Sequence, residues 1–549
     1  MKISRLLPLL AAALLCASIS TAAQASVRDD IFDIVEAVSV GEENDLLPEP
    51  VRAREMVAAF YQLRDYELAW DDKEEINAVL DLMGSSDRHG LDPTDYHYVD
   101  LRALQAEWNS RLLRRDRVRA RFDVLLTDAV FMYARHIVEG KVDPSRWEES
   151  WNYTRRDFAE DEIIAKLSTA LVEKNLVQVL RALEPDLKFY QLLQAELKHF
   201  RELEQRGDFV VVPEDTVLKP GMDHSNVAVL REKLRRMGLW QQAQGQSVDS
   251  EHFDSSLKES VMHFQARYSL DADGIVGRNS FAELNKSYAD RIDQVRINLD
   301  RIRWINDDFG DDLVIVNIAG FELYLIRDRA VAWETDVMVG TIKNETPMFH
   351  SQIKYLVLNP TWTVPGGIKR RSIFPKFSKN PNYPLEHNYK LYNTDGEEVD
   401  PLSIDYSQYR AGRFPFRVVQ QPGPENALGR VKFIFPNKYA VYLHDTPSRS
   451  LFSRSSRAFS SGCIRVQYPL QFAEILLDDQ QKWSRANIDK VIEGGKQQVV
   501  HLKKPLDVML MYWTASPTAD GGVQFHADVY NRDAKAIAAL KEKPHWDAS

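Results

Sequence analysis

The sequence predicts a multidomain α+β chain: a helical N-terminal scaffold, a small three-helix module, and a mixed, mainly β domain interrupted by a long lid-like insertion. Three observations predict it. At 549 residues the chain is too long for one hydrophobic core. Apolar residues recur at helical spacing through the N-terminal third and again in a compact module after it. From Leu313 onward the period changes to short β-rich runs.

Composition narrows the class. Hydrophobic residues at 44% and charged residues at 28% are ordinary for a globular chain and exclude a mostly disordered one. A formal charge of −11, with no long basic run and no basic–aromatic stripe, argues against a nucleic-acid partner. A negative surface is not drawn to an anionic membrane either.

In chain order, residues 1–25 read as an export leader. Lys2 and Arg5 precede an apolar stretch from Leu6 to Cys16, and Ala23-Gln24-Ala25 offers a small-x-small cleavage site before Ser26. The stretch is shorter than the roughly 20 residues a spanning helix needs, which favours cleavage over an anchor. Leu15 before Cys16 argues against a lipoprotein signal. With Cys16 gone, Cys463 is left as the lone cysteine, and it has no internal disulfide partner. It is either a buried, inert hydrophobe or a reactive thiol; its neighbours favour the second.

Residues 26–210 form the helical scaffold. Phe122, Leu125, Leu126, Ala129, Met132 and Tyr133 mark one apolar face, and Asp92-Pro93 and Asp143-Pro144 punctuate the helices. In residues 211–290, Val227, Leu230, Leu234 and Met237 make a helix ended by Gly238. Leu257, Val261, Phe264 and Tyr268 make a second; Asp273-Gly274-Ile275-Val276-Gly277 turns into a third with Phe281 and Leu284. A helical pattern over 290–307 is expected to pack back on the scaffold. Residues 297–531 are the mainly β domain, with strands expected at Leu313–Ala319, Phe321–Ile326, Ala330–Met338, Ile353–Leu358, Tyr439–Leu443 and Leu506–Thr514. Residues 369–436, rich in Pro, Asn, Tyr and charge, are too long for a simple connection and read as a lid-like insertion. Residues 532–549 are left as a C-terminal tail.

The chemistry concentrates between His444-Asp445-Thr446-Pro447 and Ser460-Ser461-Gly462-Cys463-Ile464-Arg465. A thiol with a pKa of about 8.5 is mostly protonated at neutral pH, so thiol acyl transfer needs a base. His444 can take that proton and later return one to a leaving amine. Gly462 lets backbone N–H groups approach a tetrahedral oxyanion. On an extended strand Arg465 shares the face of Cys463 and adds positive potential; Ser460 and Thr446 flank the pair as substrate-contacting candidates. Tyr442, two residues before His444, points to its side and is either an oxyanion donor or a half-buried strand tyrosine. Asp445 invites a Cys–His–Asp triad. Neighbouring strand residues point to opposite faces, however, so a backbone carbonyl, of Asp445 or near Ser461, is the preferred orienter of His444. Trp362 either lines the cleft or packs in the core.

Rival chemistries are weak. The 13 histidines include no H-E-x-x-H or Cys–His pattern, so no metal site or zinc hydrolase is expected. Gly366-Gly367 and Gly494-Gly495 lack phosphate-loop context, and the serines from Ser448 to Ser456 lack the glycine turn of Cys463.

Ser460-Ser461-Gly462-Cys463-Ile464-Arg465 after His444 resembles the catalytic signature of L,D-transpeptidases with a YkuD-type fold. A second block agrees: Val339-Gly340, Thr346-Pro347, Asn359-Pro360-Thr361-Trp362 and Val364-Pro365. Phe264-Gln265 followed by Asp273-Gly274-Ile275-Val276-Gly277 resembles the small peptidoglycan-binding domain. Phe60-Tyr61-Gln62-Leu63-Arg64, His89-Gly90-Leu91-Asp92-Pro93 and Gly140-Lys141-Val142-Asp143-Pro144 resemble the scaffold domain of large L,D-transpeptidases. Two departures stand out: Asp445 where many members have Gly or Ser, and Ser461 where smaller ones carry a second imidazole, which leaves His444 the lone nearby base.

The resemblance implies a periplasmic ping-pong acyltransferase without metal or organic cofactor. Cys463 attacks the third residue of a tetrapeptide stem, D-alanine leaves, and an amine of a neighbouring stem resolves the thioester into a 3→3 cross-link. It also implies peptidoglycan tetrapeptide stems as partners, other cell-wall synthases as further ones, and carbapenems as inhibitors. Water as acceptor, or a non-catalytic peptidoglycan-binding scaffold, are the alternatives.

Overall fold

The computed structural model describes residues 27–40, 47–110, 115–153, 155–156, 158–241, 247–305 and 310–544. The leader expected at 1–25 lies outside them. No helix among the described residues is long and apolar enough to cross a membrane.

The scaffold is built round the helix Arg115–Glu139. Its predicted stripe from Phe122 to Tyr133 is fully buried. The same helix buries two carboxylates, each saturated with donors, as burial of a charge demands. Asp123 accepts from the Tyr61 hydroxyl and the Ala69 and Trp70 amides. Asp128 accepts from the Ala53 amide and pairs with His97. Asp92 and Asp143 cap the short helical turns that their prolines open.

In the three-helix module, the Gln265 side chain donates to Asp273 Oδ1 (3.0 Å) and Ile275 O (2.9 Å) and accepts from the Gly274 amide (2.8 Å). The motif that marks the module is therefore a closed hydrogen-bonded turn, with Gly274 at φ +76°.

Helix Tyr288–Arg303, opened by a Ser287–Asp290 capping box, is shared by all parts. Arg296 and Arg303 donate to the scaffold carbonyls of Gly90 and His89. Asp300 accepts from the Lys141 and Val142 amides, from Arg303 and from the Trp304 indole. Asn298 and Arg301 reach the β domain at Thr514 and Asp533.

The β domain is a nine-stranded sheet. Its first strands are β1 (Leu313–Asn317), β2 (Glu322–Arg327), β3 (Ala330–Gly340) and β4 (Phe349–Leu358). Next come β5 (Trp362–Thr363), β6 (Tyr389–Tyr392), β7 (Glu398–Val399) and β8 (Arg417–Gln420), which form a separate four-stranded sheet in the order β5-β8-β6-β7. The large sheet resumes with β9 (Val431–Ile434), β10 (Leu443–His444), β11 (Ala458–Ser460), β12 (Ile464–Val466) and β13 (Gln498–Met511). Its order is β11-β3-β12-β10-β9-β4-β13-β1-β2, and a further β2–β3 pairing closes it. The early half of β3 pairs with β2 and the late half with β12.

Three expectations are corrected. The insertion begins at Trp362 rather than 369 and ends before Val431 rather than at 436, because β5 belongs to the small sheet and β9 to the large one. It is no loose loop: Phe374, Phe377, Leu391, Tyr406 and Val418 give it a core of its own. The strand expected at Tyr439–Leu443 shrinks to Leu443–His444. Asn437 Oδ1 accepts from the Tyr439 and Val441 amides and its Nδ2 donates to the Phe435 and Val441 carbonyls, folding a turn with Ala440 at φ +54°. The tail is a docked helix, Asp533–Lys541, burying Ala536 and Leu540 beside Trp304 and Met509.

Candidate active site

β10 and β12 run parallel, with Leu443 opposite Ile464 and His444 opposite Arg465. Leu443 and Ile464 point into the sheet core. Alternation therefore sends Tyr442, His444, Cys463 and Arg465 out of the other face together. Antiparallel β9 sets Lys432 opposite His444 on that same face. Sequence reasoning missed Lys432; its only signal is the alternation of Val431-Lys432-Phe433-Ile434.

Cys463 is a free, half-buried thiol. Its Sγ donates to the Ala440 carbonyl at 3.6 Å, so the Asn437 turn that cuts the expected strand short supplies the thiol's acceptor. Burial pushes the thiol above its ordinary range, against the lowering effects of hydrogen bonds from Tyr442 and the charge of Arg465. The Tyr442 phenol is pushed up as well, by burial and then by Cys463, so it stays a proton donor at neutral pH. Its ring lies 5.7 Å from that of His444 and packs against both the sheet core and the insertion core.

His444 is buried, and burial with help from Arg465 and Lys432 drives its pKa down to about 3. Its Nδ1 lies 2.5 Å from the Asp445 carbonyl oxygen. A carbonyl only accepts, so Nδ1 carries the proton and Nε2 keeps its lone pair. The Asp445 carboxylate turns elsewhere. It accepts from the Arg430 amide (2.8 Å) and the Thr446 amide (2.7 Å), tying the end of the insertion to the strand that bears His444. Gly429 makes room for it: a Cβ there would sit 2.4 Å from Asp445 Cγ. A Cys–His–Asp triad is thus absent, and Asp445 acts through its backbone oxygen.

Gly462 has φ +111°, which accounts for the glycine before the nucleophile. Its N–H, expected to face an oxyanion, is already donated to Ser460 Oγ at 3.0 Å. Ser460 Oγ donates in turn to the Cys463 carbonyl at 2.5 Å. Ser460 is buried inside the turn rather than facing a substrate, because two backbone groups consume its hydroxyl. The Cys463 N–H has no acceptor among the described residues. Ser461 is exposed at the tip of the turn. Thr446 is buried and accepts from the Ser448 amide, so it too shapes a turn. Trp362 is 8% exposed and belongs to the insertion's core, which settles its alternatives in favour of packing. Arg465 is half-buried and its Nε has no hydrogen-bond partner among the described residues. No cluster of His, Cys, Asp or Glu suited to a metal occurs among them.

A thiol, a lone-pair imidazole, a phenol and two cations on one face of one sheet can carry out acyl transfer. Residues 311–492 match the family described as "L,D-transpeptidase catalytic domain". The chain carries a YkuD L,D-transpeptidase catalytic domain. Ahead of that L,D-transpeptidase domain, residues 55–197 match "Scaffold domain" and 223–284 match "Putative peptidoglycan binding domain". A Haemophilus influenzae protein described as "Putative L,D-transpeptidase" is 36% identical over 254 residues, 46% of this chain and 50% of that one. The chain therefore spans about half the length of this curated relative. The crystal structure of the L,D-transpeptidase from Xylanimonas cellulosilytica aligns at 12% identity, covering 55% of this chain and 99% of that one with a TM-score of 0.17. The Clostridium acetobutylicum fused amidase/peptidase with a peptidoglycan-binding domain aligns at 12% identity over 54% and 99%, with a TM-score of 0.14.

Proposed function

We propose that the protein is an exported, periplasmic enzyme that forms 3→3 peptidoglycan cross-links through a thioester on Cys463. What supports this reading above all is the single face shared by Tyr442, His444, Cys463 and Arg465. His444 Nε2 takes the thiol proton as Sγ bonds to the carbonyl carbon of the third residue of a tetrapeptide stem. Because the resting thiol and imidazole are both neutral, proton transfer accompanies attack rather than preceding it. The Cys463 N–H and the Tyr442 hydroxyl receive the developing oxyanion. The C–N bond to D-alanine then breaks, and its nitrogen leaves with the proton from His444. An amine of a second stem attacks the thioester and gives a proton to His444 Nε2; a C–N bond forms, the C–S bond breaks, and that proton returns to sulfur to restore the thiol.

Lys432 and Arg465, the two cations on the face of His444, attract the carboxylate that ends the donor stem. The insertion acts as a lid, tied to the histidine-bearing strand by Asp445. Other cell-wall synthases are the natural further partners, and carbapenems acylate the same thiol.

Mass spectrometry of the mature protein with disaccharide-tetrapeptide, with Cys463→Ala alongside, tests the reading. The expected product is a cross-linked dimer short of one D-alanine, absent with the variant. Tripeptide monomer alone would make water the acceptor, and no turnover in either sample would leave a binding scaffold.

A further inference from the structure

The turn that bears the nucleophile is held from beneath by a chain of hydrogen bonds that runs out of the matched catalytic segment. Thr346, fully buried, accepts from the Gly340 amide and donates to the Gly462 carbonyl, both at 2.9 Å. Tyr530, beyond the segment 311–492, donates its hydroxyl to the Gly340 carbonyl at 2.6 Å and accepts from the Thr346 amide at 3.3 Å. Position 340 excludes any side chain, because a Cβ there would lie 2.0 Å from the Asn344 carbonyl oxygen. Tyr530 itself is set by the Tyr512 hydroxyl, which accepts from its amide (2.9 Å) and donates to Asp528 (2.5 Å). Arg532, two residues on, bonds Glu345 (2.9 Å) and pairs with Glu148 of the scaffold (3.6 Å).

We propose that Tyr530 is a positioning residue which, through the Thr346 hydroxyl, holds the Gly462 carbonyl and so sets where Cys463 stands on the sheet face. The geometry carries this in a specific way. Gly462 has a conformation open chiefly to glycine and its N–H serves Ser460, so its carbonyl is the remaining handle on the turn. Thr346 Oγ1 grips that handle. With the grip gone, the turn stays in the fold through Ser460 but drifts, and the thiol leaves its buried place beside Ala440.

The test uses the full chain with Tyr530→Phe, Thr346→Val and Thr346→Ser. The first readout is the pH dependence of Cys463 alkylation by iodoacetamide, which needs no peptidoglycan substrate. In Tyr530→Phe and Thr346→Val the midpoint moves down toward the ordinary thiol value of about 8.5, whereas Thr346→Ser, which keeps the hydroxyl, stays at wild type. The second readout is turnover of disaccharide-tetrapeptide, where kcat falls roughly tenfold to a hundredfold with KM within about twofold, as expected for a misplaced reacting atom. An unchanged midpoint in both Tyr530→Phe and Thr346→Val overturns the proposal, as does an equal shift in Thr346→Ser. Should the wild type fail to turn over the substrate, the function proposed above falls while the alkylation comparison still decides this one. Should Tyr530→Phe not fold, the contrast between Thr346→Val and Thr346→Ser decides it.

Discussion

At the scale of single residues, the site is a pair of neutral groups, and that makes its pH behaviour distinctive. The thiol is raised, so its thiolate form is scarce at neutral pH and grows as pH climbs through and beyond the ordinary thiol range. The imidazole is lowered to about 3, so it stays unprotonated, and able to act as base, down to about pH 4. Turnover plotted against pH should therefore show no acid-side inflection near 6.5; stopped assays between pH 5 and 8 check this, and a full His-like inflection would contradict it. His444→Gln, which keeps a polar side chain without the base, should lower kcat by about 10²- to 10⁴-fold with little loss of stability. Gly462→Ala meets no clash, its nearest neighbour being the Glu345 carbonyl oxygen at an ordinary contact distance of 3.6 Å. Its cost is thus backbone strain at φ +111°, of order 1–3 kcal/mol, readable as a lower urea midpoint. The lone Cys463 and its glycine were legible from the sequence because their spacing is local. Thr346 was legible only as part of a motif and Tyr530 not at all, since nothing in the sequence brings together residues that lie 184 positions apart.

At the scale of elements, the sequence was read well where an element runs long and poorly where it is short. Helix Arg115–Glu139 and strand β3 announce themselves by period. The insertion's sheet is built from strands of two to four residues, too short for alternation to show, so the segment read as a lid-like insertion with no strands of its own. The run Tyr439–Leu443 is a short apolar, β-prone stretch, yet the Asn437 side chain satisfies its backbone locally and wins. Asp445 joins the insertion to the catalytic strand, which gives a prediction at this scale. Asp445→Ala leaves the Arg430 and Thr446 amides without their acceptor and should cost about 1–3 kcal/mol. If the insertion closes over the donor stem, the same change should slow acylation more than it slows alkylation of the bare thiol. Stopped-flow acylation by a carbapenem, set against iodoacetamide, separates the two; equal effects would count against a lid.

At the scale of the whole molecule, scaffold, three-helix module and β domain meet on helix Tyr288–Arg303 rather than hanging as beads. The Arg301–Asp533 pair (2.6 Å) and the Arg303–Asp300 pair (2.7 Å) lie at those junctions, both shielded from solvent. Removing one partner of such a pair typically costs about 3–5 kcal/mol. Asp300→Ala also frees the Lys141 and Val142 amides on the scaffold side. Calorimetry should therefore show one cooperative transition in the wild type and two in Asp300→Ala; a single transition in both would mean the parts are coupled elsewhere.

The place of β13 has a consequence for biosynthesis. It is the last strand of the large sheet to leave the ribosome, yet it lies in the middle, parallel to β1 on one side and antiparallel to β4 on the other. Until residue 511 has emerged, β1 and β4 each present an unpaired edge, and the sheet cannot close. A nascent chain is thus held back from its native catalytic fold until synthesis is almost finished. A chain halted at 497 would keep every residue of the thiol–imidazole face and still lack the strand that closes the sheet between β1 and β4.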